Sequence, residues 1–271
     1  MSALDDELRD IFRFVSQKVI LPRWRNLASS EVEEKAKDDF VTIADKETEI
    51  FLTEALTKLA PDVAVVGEEA VYDDPSLMDR LTGPCWIIDP IDGTANFARG
   101  EGHFAIMVAL ADAGEAIAGW IYDPQRDRLC HARKGEGAWI DGAKLIATPS
   151  GKDPATLAAM KRFMLPDQRD LFEAEVEPHY TLVTAPGCAA EQYPLTATGK
   201  HDLAIYERTL PWDHAAGCLF LNEAGGACRR LDGSAYRVDD GRKGMVAAAS
   251  PALFEDLATK LTEIGYEPAA G

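Results

Sequence analysis

The sequence has few cysteines, and they show no pattern of a covalent or metal-bound framework. Five are spread over 271 residues, and no two of them form a C-x-x-C pair. An odd number at wide spacing argues against both a disulfide scaffold and a structural zinc site. A reducing compartment such as the cytoplasm is therefore expected. The cysteines are Cys85, Cys130, Cys188, Cys218 and Cys228.

Long apolar runs are also missing. No segment approaches the ~20 consecutive apolar residues that a membrane-spanning helix requires. The N-terminus begins with the acidic residues Asp5, Asp6 and Glu7 and so lacks the basic start of a signal peptide. We therefore expect a cytoplasmic protein with no membrane anchor and no membrane partner.

Positive charge is in short supply. The chain has 28 lysines and arginines against 46 aspartates and glutamates, which gives a net charge of −18 at pH 7. Such a surface repels polyanions, which argues against a nucleic-acid-binding groove. Cations are the favoured partners, and nucleic acid is not expected to be one.

Apolar residues are present in ordinary amount, 46%, which suits a globular chain with a large core. In the first half, two helical patterns are followed by short strand-like runs with turn residues between several of them. Such turns favour hairpins and hence a large, mainly antiparallel sheet. The helical patterns lie at 4–19 and 50–59, and the strand-like runs at 63–66, 86–88, 104–110, 116–122 and 138–140.

From about residue 150, strand-like and helical segments alternate, which is typical of an α/β unit, and we predict a smaller mixed sheet there. We predict two units, an α+β domain at 1–150 and an α/β domain at 151–271, with a boundary near Pro149. The strand-like runs of the second unit lie at 155–160, 181–184, 202–206 and 245–249. Its helices are predicted at 167–176, 188–199, 212–224 and from Pro251 onward.

Acidic side chains stand at three places where an apolar element begins or ends. Glu68 follows the run V-A-V-V, and Asp89 and Asp92 follow W-I-I. If these two strands are parallel neighbours, their carboxylates meet at one edge of the sheet. Asp213 lies in the first turn of an apolar helix.

Each of these places also has a purely structural interpretation. D-P-I-D-G is plausible turn chemistry, and Asp213 in a first helical turn complements the helix dipole. The sequence G-E-E alone is typical of an exposed loop. The order of residues inside D-P-I-D-G-T favours a functional site, as follows.

In D-P-I-D-G-T, the proline allows Asp89 and Asp92 to converge, and the carbonyl of Ile91 between them lacks an obvious strand partner. Oxygen-only ligands favour Mg²⁺ over zinc or copper. Gly93 and Thr94 lead into a short helical turn, whose amides are suited to bind phosphate. The motif therefore predicts metal-assisted phosphoryl hydrolysis, with metal ions ~3.5 to 4 Å apart.

A rival motif differs in spacing. Phosphatases of the haloacid dehalogenase kind use D-x-D-G-T, in which the first aspartate is a nucleophile. Here the spacing is D-x-x-D-G-T, and it occurs at residue 89 and not on the first strand of an α/β domain. We therefore discard this alternative.

Taken together, the motifs closely resemble the signatures of the inositol monophosphatase family. The resemblance covers nearly the whole chain, and it implies a layered αβαβα sandwich, usually a homodimer, that hydrolyses small phosphomonoesters with Mg²⁺ and is sensitive to Li⁺. The matching segments are G-E-E at 67–69, W-I-I-D-P-I-D-G-T-A-N-F at 86–97, W-D-H-A-A-G at 212–217, V-T-I-A-D at 41–45, G-C-A-A at 187–190 and N-E-A-G-G at 222–226.

Carried over by position, the resemblance implies two groups of metal ligands that share Asp89. One ion is held by Glu68, Asp89 and the Ile91 carbonyl. A second ion is held by Asp89, Asp92 and Asp213. Two or three Mg²⁺ ions per active site are expected on this basis.

The resemblance also implies the catalytic groups. Glu68 and Thr94, with Asp45 hydrogen-bonded behind Thr94, are expected to orient and activate the attacking water. The amides of Gly93 and Thr94 are expected to bind the phosphate. Asp213 comes from the second unit, so the active site is expected in a cleft between the two.

Substrate contacts are less fully specified. Lys37 is the candidate for the lysine that assists the phosphate in this family, with Lys35 as the alternative. Inositol-preferring members carry a glutamate seven residues before the third-motif aspartate. Here that position is Tyr206, with Glu207 next to it. The remaining candidates for substrate contact are Ala189 and Arg208.

The substrate therefore stays open among inositol phosphate and related polyol or sugar phosphates. Fructose 1,6-bisphosphate, adenosine 3′,5′-bisphosphate and histidinol phosphate are alternatives with the same chemistry, and Arg208 suits a second phosphate or a carboxylate if it faces the cleft. A different class is a transcription- or ribosome-associated partner with dispensable catalysis. The acidic charge and the complete ligand set argue against that class.

Overall fold

The computed structural model describes residues 2–36 and 39–268, and its elements stack in five layers: helices, sheet, helices, sheet, helices. The predicted αβαβα sandwich is confirmed. The helices are α1 Ala3–Val15, α2 Leu21–Arg23, α3 Ile43–Leu59, α4 Glu68–Asp73, α5 Thr94–Ala98, α6 Pro166–Glu175, α7 Ala189–Ala197, α8 Pro211–Glu223 and α9 Pro251–Glu263.

Short helical turns supplement these helices, and most of the strands fall where alternation predicts them. The turns are Ser16–Ile20, Ser29–Glu31, Pro75–Thr82, Lys161–Phe163 and Glu177–His179. The strands are β1 Val32–Ala36, β2 Asp39–Thr42, β3 Ala64–Gly67, β4 Cys85–Asp92, β5 Ala105–Asp112, β6 Glu115–Asp123, β7 Arg128–Arg133, β8 Gly137–Ile140, β9 Ala143–Leu145, β10 Thr156–Ala159, β11 Thr181–Val183, β12 Leu203–Tyr206, β13 Ala227–Arg229 and β14 Met245–Ala248.

The large sheet contains seven strands in the order β3-β4-β5-β6-β7-β8-β9. Only β3 and β4 are parallel, and all other neighbours are antiparallel. The predicted hairpins and the mainly antiparallel character are therefore confirmed. Strand β7 was not predicted, because the charged ends Arg128 and Arg133 hide its short apolar stretch.

The smaller sheet has the order β11-β10-β12-β14-β13 and is mixed, as predicted. Strand β10 pairs in parallel with both of its neighbours, whereas β14 runs antiparallel to β12 and β13. A separate two-stranded hairpin, β1 with β2, was not predicted because its sequence is strongly charged.

Three hydrophobic clusters hold the layers together. Helices α1 and α3 pack on one face of the large sheet around Trp86 and Trp120. Helices α7 and α8 fill the space between the two sheets, with Tyr193 and Phe220 fully buried. Helices α6 and α9 cover the far face of the smaller sheet.

The middle cluster draws residues from both sides of the predicted boundary, for example Val66 and Met245. The two predicted units are thus joined by packing, and the division into 1–150 and 151–271 stays a prediction. Within the described residues, no helix has the length and apolar character needed to cross a membrane.

Candidate functional site

The parallel pairing of β3 and β4 brings two acidic residues to the same edge of the large sheet. Gly67, the last residue of β3, lies opposite Ile88 of β4. Glu68 and Asp89 are the next residues of the two segments, so their backbones are neighbours. The two strands are therefore parallel neighbours, which is the condition under which their carboxylates meet at one edge.

Strand β4 contains a bulge at the D-P-I-D segment. Asp89 pairs with Met107 and Asp92 pairs with Ala105, so β4 has one more residue than β5 between these pairs. In a regular strand, side chains three residues apart point to opposite faces, and an inserted residue removes that alternation. Both aspartates consequently line one cavity. The D-P-I-D segment is therefore part of strand β4, and its interpretation as a turn that ends the strand is wrong.

Asp213 completes an acidic cluster from the other side of the cavity. It lies in the first turn of α8, the helix between the two sheets. Glu68, Asp89 and Asp213 each offer a carboxylate oxygen, and these atoms lie within 4.8 Å of one another. Three segments far apart in sequence thus place their carboxylates around one point.

Asp92 lines the same cavity but is held by the start of α7. Its Oδ2 accepts hydrogen bonds from the backbone N–H of Ala190 at 2.5 Å and from Cys188 Sγ at 3.1 Å. Asp92 does not belong to the three-carboxylate cluster at 4.8 Å. The role of Cys188 and Ala190 was missed, because nothing in the sequence indicates that α7 starts beside β4.

The electrostatics of the cluster are those of crowded, buried negative charge. Burial, together with the nearby carboxylates of Asp213 and Glu69, raises the pKa of Glu68 well above its usual range. Burial and the neighbouring Glu68, Asp92 and Asp213 do the same to the pKa of Asp89. Like charges in a poorly solvated site disfavour ionisation, and a bound cation relieves that cost.

Lys35 on β1 lies beside the cluster. Its Nζ is 2.7 Å from Glu69 Oε2 and 3.9 Å from Glu68 Oε1, and the side chain is almost fully buried. Lys35, the alternative candidate for the lysine that assists the phosphate, thus lies next to Glu68, a carboxylate of the cluster. Lys37, the preferred candidate, lies outside the described residues.

Thr94 and Asp45 are in contact behind the cluster. Thr94 Oγ1 lies 2.9 Å from the Ile91 carbonyl oxygen and 3.2 Å from Asp45 Oδ1. The other Asp45 oxygen accepts from the backbone N–H and the hydroxyl of Thr42, at 2.8 and 2.6 Å, at the start of α3. Burial, partly offset by the Thr42 hydroxyl, raises the pKa of Asp45 to about 7.

Gly93 immediately precedes helix α5 and has φ of +88°, a conformation that favours glycine. A Cβ there would lie 2.7 Å from the carbonyl oxygen of His103. The helical turn expected after the motif is present as α5, and both Gly93 and Thr94 line the cavity.

The cavity has a volume of about 470 Å³, and the four other predicted contact residues all lie on its wall: Ala189, Tyr206, Glu207 and Arg208. Tyr206 is buried, and its hydroxyl has no hydrogen-bond partner in the part of the chain that the structure describes. Glu207 is also buried and accepts a hydrogen bond from the Tyr266 hydroxyl.

Arg208 faces the cleft. Its Nη2 is 3.6 Å from Asp213 Oδ2, and its guanidinium lies 4.8 Å from the centre of the Phe163 ring. Arg162 also lines the cavity and lies 4.4 Å from the same ring. Arg162 and Phe163 were missed because they fall between the segments whose periodicity identifies an element.

His214, the residue after Asp213, has a structural role. Its two ring nitrogens lie 2.8 Å from the Tyr193 hydroxyl and 3.0 Å from the Arg208 carbonyl oxygen. Burial lowers the pKa of His214 to about 3, so the ring is neutral at physiological pH.

A model of the inositol monophosphatase family matches residues 8–266. The chain belongs to the inositol monophosphatase family. An inositol-1-monophosphatase of Bacillus subtilis is 33% identical over 223 residues, which cover 81% of this chain and 82% of the relative.

Two further relatives of this chain carry names that indicate different activities. A fructose-1,6-bisphosphatase/inositol-1-monophosphatase of Aquifex aeolicus is 31% identical, with 86% of this chain and 88% of the relative covered. A Nus factor SuhB of Pasteurella multocida is 30% identical, with 84% of each covered. The family thus indicates a phosphatase, while the names of its members differ in substrate and role.

The fold is also that of solved family structures. The structure of Thermotoga maritima IMPase matches with a TM-score of 0.81 over 98% of both chains, at 24% identity. In this family member, the cluster of Glu68, Asp89 and Asp213 offers only oxygen ligands in a crowded, partly buried site. This donor set fits a hard divalent cation such as Mg²⁺.

Proposed function

We propose that this protein is a Mg²⁺-dependent phosphatase that hydrolyses a small phosphomonoester, an inositol phosphate or a related polyol or sugar phosphate. The observation that carries the proposal is the meeting of three carboxylates within 4.8 Å, on the wall of a cavity that Gly93 and Thr94 also line. A cation site on the wall of a cavity of about 470 Å³, a size typical of small-molecule sites, suits hydrolysis of a small phosphate ester.

The proposed ligands fall into two groups that share Asp89. Glu68, Asp89 and the Ile91 carbonyl would hold one ion, and Asp89, Asp92 and Asp213 a second, with two or three ions per site in total. Bound Mg²⁺ lowers the pKa of coordinated water and stabilises charge on the phosphoryl oxygens.

The remaining groups act on the phosphate and the water. We assign binding of the phosphate oxygens to the backbone N–H groups of Gly93 and Thr94, at the start of α5. The Thr94 hydroxyl, within hydrogen-bond distance of Asp45, is positioned to pass a proton from the attacking water toward that buried carboxylate. Glu68 orients the same water. Lys35 or Lys37 assists the phosphate.

The test is phosphate release with and without EDTA across inositol, sugar, nucleotide and histidinol phosphates, repeated with Asp92→Asn. We expect metal-dependent activity and a loss of at least 100-fold in kcat with little change in KM, because the charge at Asp92 acts on the reacting centre. Asp112→Asn, at an exposed aspartate that ends β5, is the control. Activity that survives both EDTA and Asp92→Asn would overturn the mechanism.

A second candidate substrate carries a second phosphate, such as a fructose bisphosphate. The supporting observation is that Arg162 and Arg208 both line the cavity and lie over the ring of Phe163. A guanidinium binds phosphate through two parallel hydrogen bonds. Histidinol phosphate, with its cationic tail, is disfavoured beside two arginines.

Arg162→Gln separates the two substrate classes without touching a proposed metal ligand. If a bisphosphate is the substrate, the variant raises its KM about tenfold or more, whereas the KM for inositol phosphate changes less than twofold. Equal effects on both substrates would argue against a second phosphate subsite.

A role as a transcription partner is the competing proposal, since one relative is described as a Nus factor. A net charge of −18 disfavours direct contact with RNA, and an interaction protein has no physical need for a cluster of three converging carboxylates. The two roles differ in their need for the carboxylates of Asp89 and Asp213. If a chain that lacks both carboxylates functions normally in cells, the transcription role is favoured over catalysis.

The proposed place of action is the cytoplasm, since all five cysteines are free thiols, which a reducing compartment preserves. We also propose a homodimer on the basis of the family resemblance. Light scattering on the purified chain measures its mass against 29.5 kDa for one copy.

A further inference from the structure

Glu49 is a buried carboxylate that the proposed mechanism does not use. It lies on α3 one turn after Asp45, with 5% of its surface exposed. Its two oxygens accept hydrogen bonds from the backbone N–H groups of Glu69 and Ala70, each at 2.8 Å. Residues four apart lie on the same face of a helix, so α3 presents two carboxylates side by side.

The hydrogen bonds fix the first turn of α4, the helix that starts with Glu68. The first backbone N–H groups of a helix have no partner inside the helix and require one from elsewhere. Glu49 supplies that partner from a different helix, 20 residues earlier in the chain. The direction in which Glu68 leaves the sheet is thereby tied to α3.

Gly67 shows how closely Glu49 approaches this junction. A Cβ at Gly67 would lie 2.3 Å from the carboxyl carbon of Glu49. The backbone there has φ of −105° and ψ of 150°, which any residue adopts. The absence of a side chain at position 67 is therefore explained by the space that the Glu49 carboxylate occupies.

A further anion at this place has an electrostatic cost, because burial and the nearby Glu69 carboxylate raise the pKa of Glu49. Burying a carboxylate costs free energy unless hydrogen bonds compensate it. Two direct bonds to backbone N–H groups provide that compensation at the junction that carries Glu68. An apolar side chain would leave those two N–H groups without a partner.

We propose that Glu49 is a positioning residue, whose carboxylate clamps the β3–α4 junction so that Glu68 reaches the cation held with Asp89 and Asp213. This inference rests on the proposed function. The two carboxylates of α3 then have different roles, since Asp45 contacts Thr94 and Glu49 fixes the backbone of Glu68.

The first test is Glu49→Gln, with Glu54→Gln as the matched control. A glutamine side chain in place of Glu49 can accept only one of the two N–H bonds, because its amide NH₂ is a donor. Glu54 is an exposed glutamate on the same helix. Mn²⁺ binding is measured without substrate for the unaltered chain, Glu49→Gln and Glu54→Gln. The EPR signal of free Mn²⁺ decreases as the ion binds, and this decrease reports the affinity.

We expect Glu49→Gln to weaken Mn²⁺ binding at least tenfold and to raise the Mg²⁺ concentration for half-maximal activity by a similar factor. The KM at saturating Mg²⁺ should change less than twofold, and Glu54→Gln should match the unaltered chain. A lower melting temperature with unchanged Mn²⁺ affinity would show a merely structural role and overturn the inference.

A second test uses Gly67→Ala, which displaces the Glu49 carboxylate without removing it. We expect it to reproduce the weaker Mn²⁺ binding of Glu49→Ala. Glu49→Ala removes the three atoms that the added methyl group would approach most closely, so the double variant should bind Mn²⁺ no more weakly than Glu49→Ala. Additive losses would mean that Gly67 acts independently of Glu49 and would contradict the clamp.

The two proposals fail in different ways. If the unaltered chain binds no Mn²⁺, the proposed function is wrong and the role of Glu49 falls with it. If the unaltered chain and Glu54→Gln bind Mn²⁺ and the Glu49 variants bind it equally well, the proposed function stands and only the clamp is wrong.

Discussion

At the residue scale, Asp5 on α1 shows how a buried carboxylate is stabilised when donors surround it. Its oxygens accept from the backbone N–H of Ser2, the indole N–H of Trp120 and the guanidinium of Arg133, at 2.7 to 2.9 Å. Burial alone raises its pKa, but the bonds from Ser2 and Trp120 outweigh burial and lower the pKa to about 2.

We predict that Asp5 makes folding sensitive to acid. Its pKa in the folded chain lies below the usual 3.8, so its contribution, about 2 kcal/mol, is complete above pH 4 and is lost as the pH falls to about 2. Urea unfolding should therefore show a gap between the unaltered chain and Asp5→Asn that shrinks across this range.

Asp6→Asn is the control for this prediction, because Asp6 is the exposed neighbour on the same helix. A gap for Asp5→Asn that stays constant from pH 6 to pH 2 would show that the carboxylate charge is not what stabilises the fold.

Among single residues, those of the cluster were the easiest to predict from the sequence. Glu68, Asp89 and Asp213 each follow or begin an apolar element, and that position is visible without a structure. The partners of Asp92 were not predictable in this way. Ala190 is 98 residues away, and its contact depends on where α7 packs against the large sheet.

At the scale of elements, β13 supports the segment that leads into α8. Arg230 follows β13 and is almost completely buried. It donates to Thr209 Oγ1 at 2.8 Å and to Asp240 Oδ1 at 2.6 Å, and it lies over the Tyr236 ring. Thr209 is next to Arg208, so this buried cation helps to place one wall of the cavity.

We predict that Arg230→Met destabilises the fold by roughly 3 to 5 kcal/mol, because Asp240 and Thr209 lose a buried partner. Arg229→Met is the control, since Arg229 is the neighbouring arginine with 40% of its side chain exposed. Exposed ion pairs contribute about 1 kcal/mol or less. Equal shifts of the two urea midpoints would contradict a special role for Arg230.

Elements with clear periodicity were predicted to within a few residues, whereas those defined by their partners were not. Helix α8 and strands β5 and β6 carry long apolar patterns and were found. The bulge in β4 exists only in relation to β5, because the extra residue is counted against Met107 and Ala105. Single-chain patterns carry no information on such pairings.

At the scale of the whole molecule, five layers bring together a carboxylate cluster that no single layer contains. Glu68 and Asp89 come from the edge of the large sheet, and Asp213 comes from the helix layer between the sheets. The layered fold followed from the family resemblance. The way the bulge and α7 orient Asp92 required the assembled structure.

The charge carried by this cluster opposes folding when no cation is bound. The pKa of Asp89 is raised well above its usual range, first by burial and then by Glu68, Asp92 and Asp213. At neutral pH the folded state must therefore either ionise this carboxylate at a cost or keep its proton. A cation bound at the site removes that cost.

We predict that Asp89→Asn melts at a higher temperature than the unaltered chain in EDTA, by a few degrees, corresponding to at least about 1 kcal/mol. Mg²⁺ should stabilise the unaltered chain, by about 2.7 kcal/mol at 100 times its dissociation constant. Asp89→Asn should lose most of this response and most of its activity.

Asp112→Asn, which removes an exposed charge from the same sheet, should change neither the melting temperature in EDTA nor the response to Mg²⁺. If Asp89→Asn melted lower in EDTA and still responded fully to Mg²⁺, Asp89 would be a structural hydrogen-bond acceptor for the Ile91 N–H and not a ligand. A more stable, inactive variant would instead show that the fold retains this carboxylate for its function at the expense of stability.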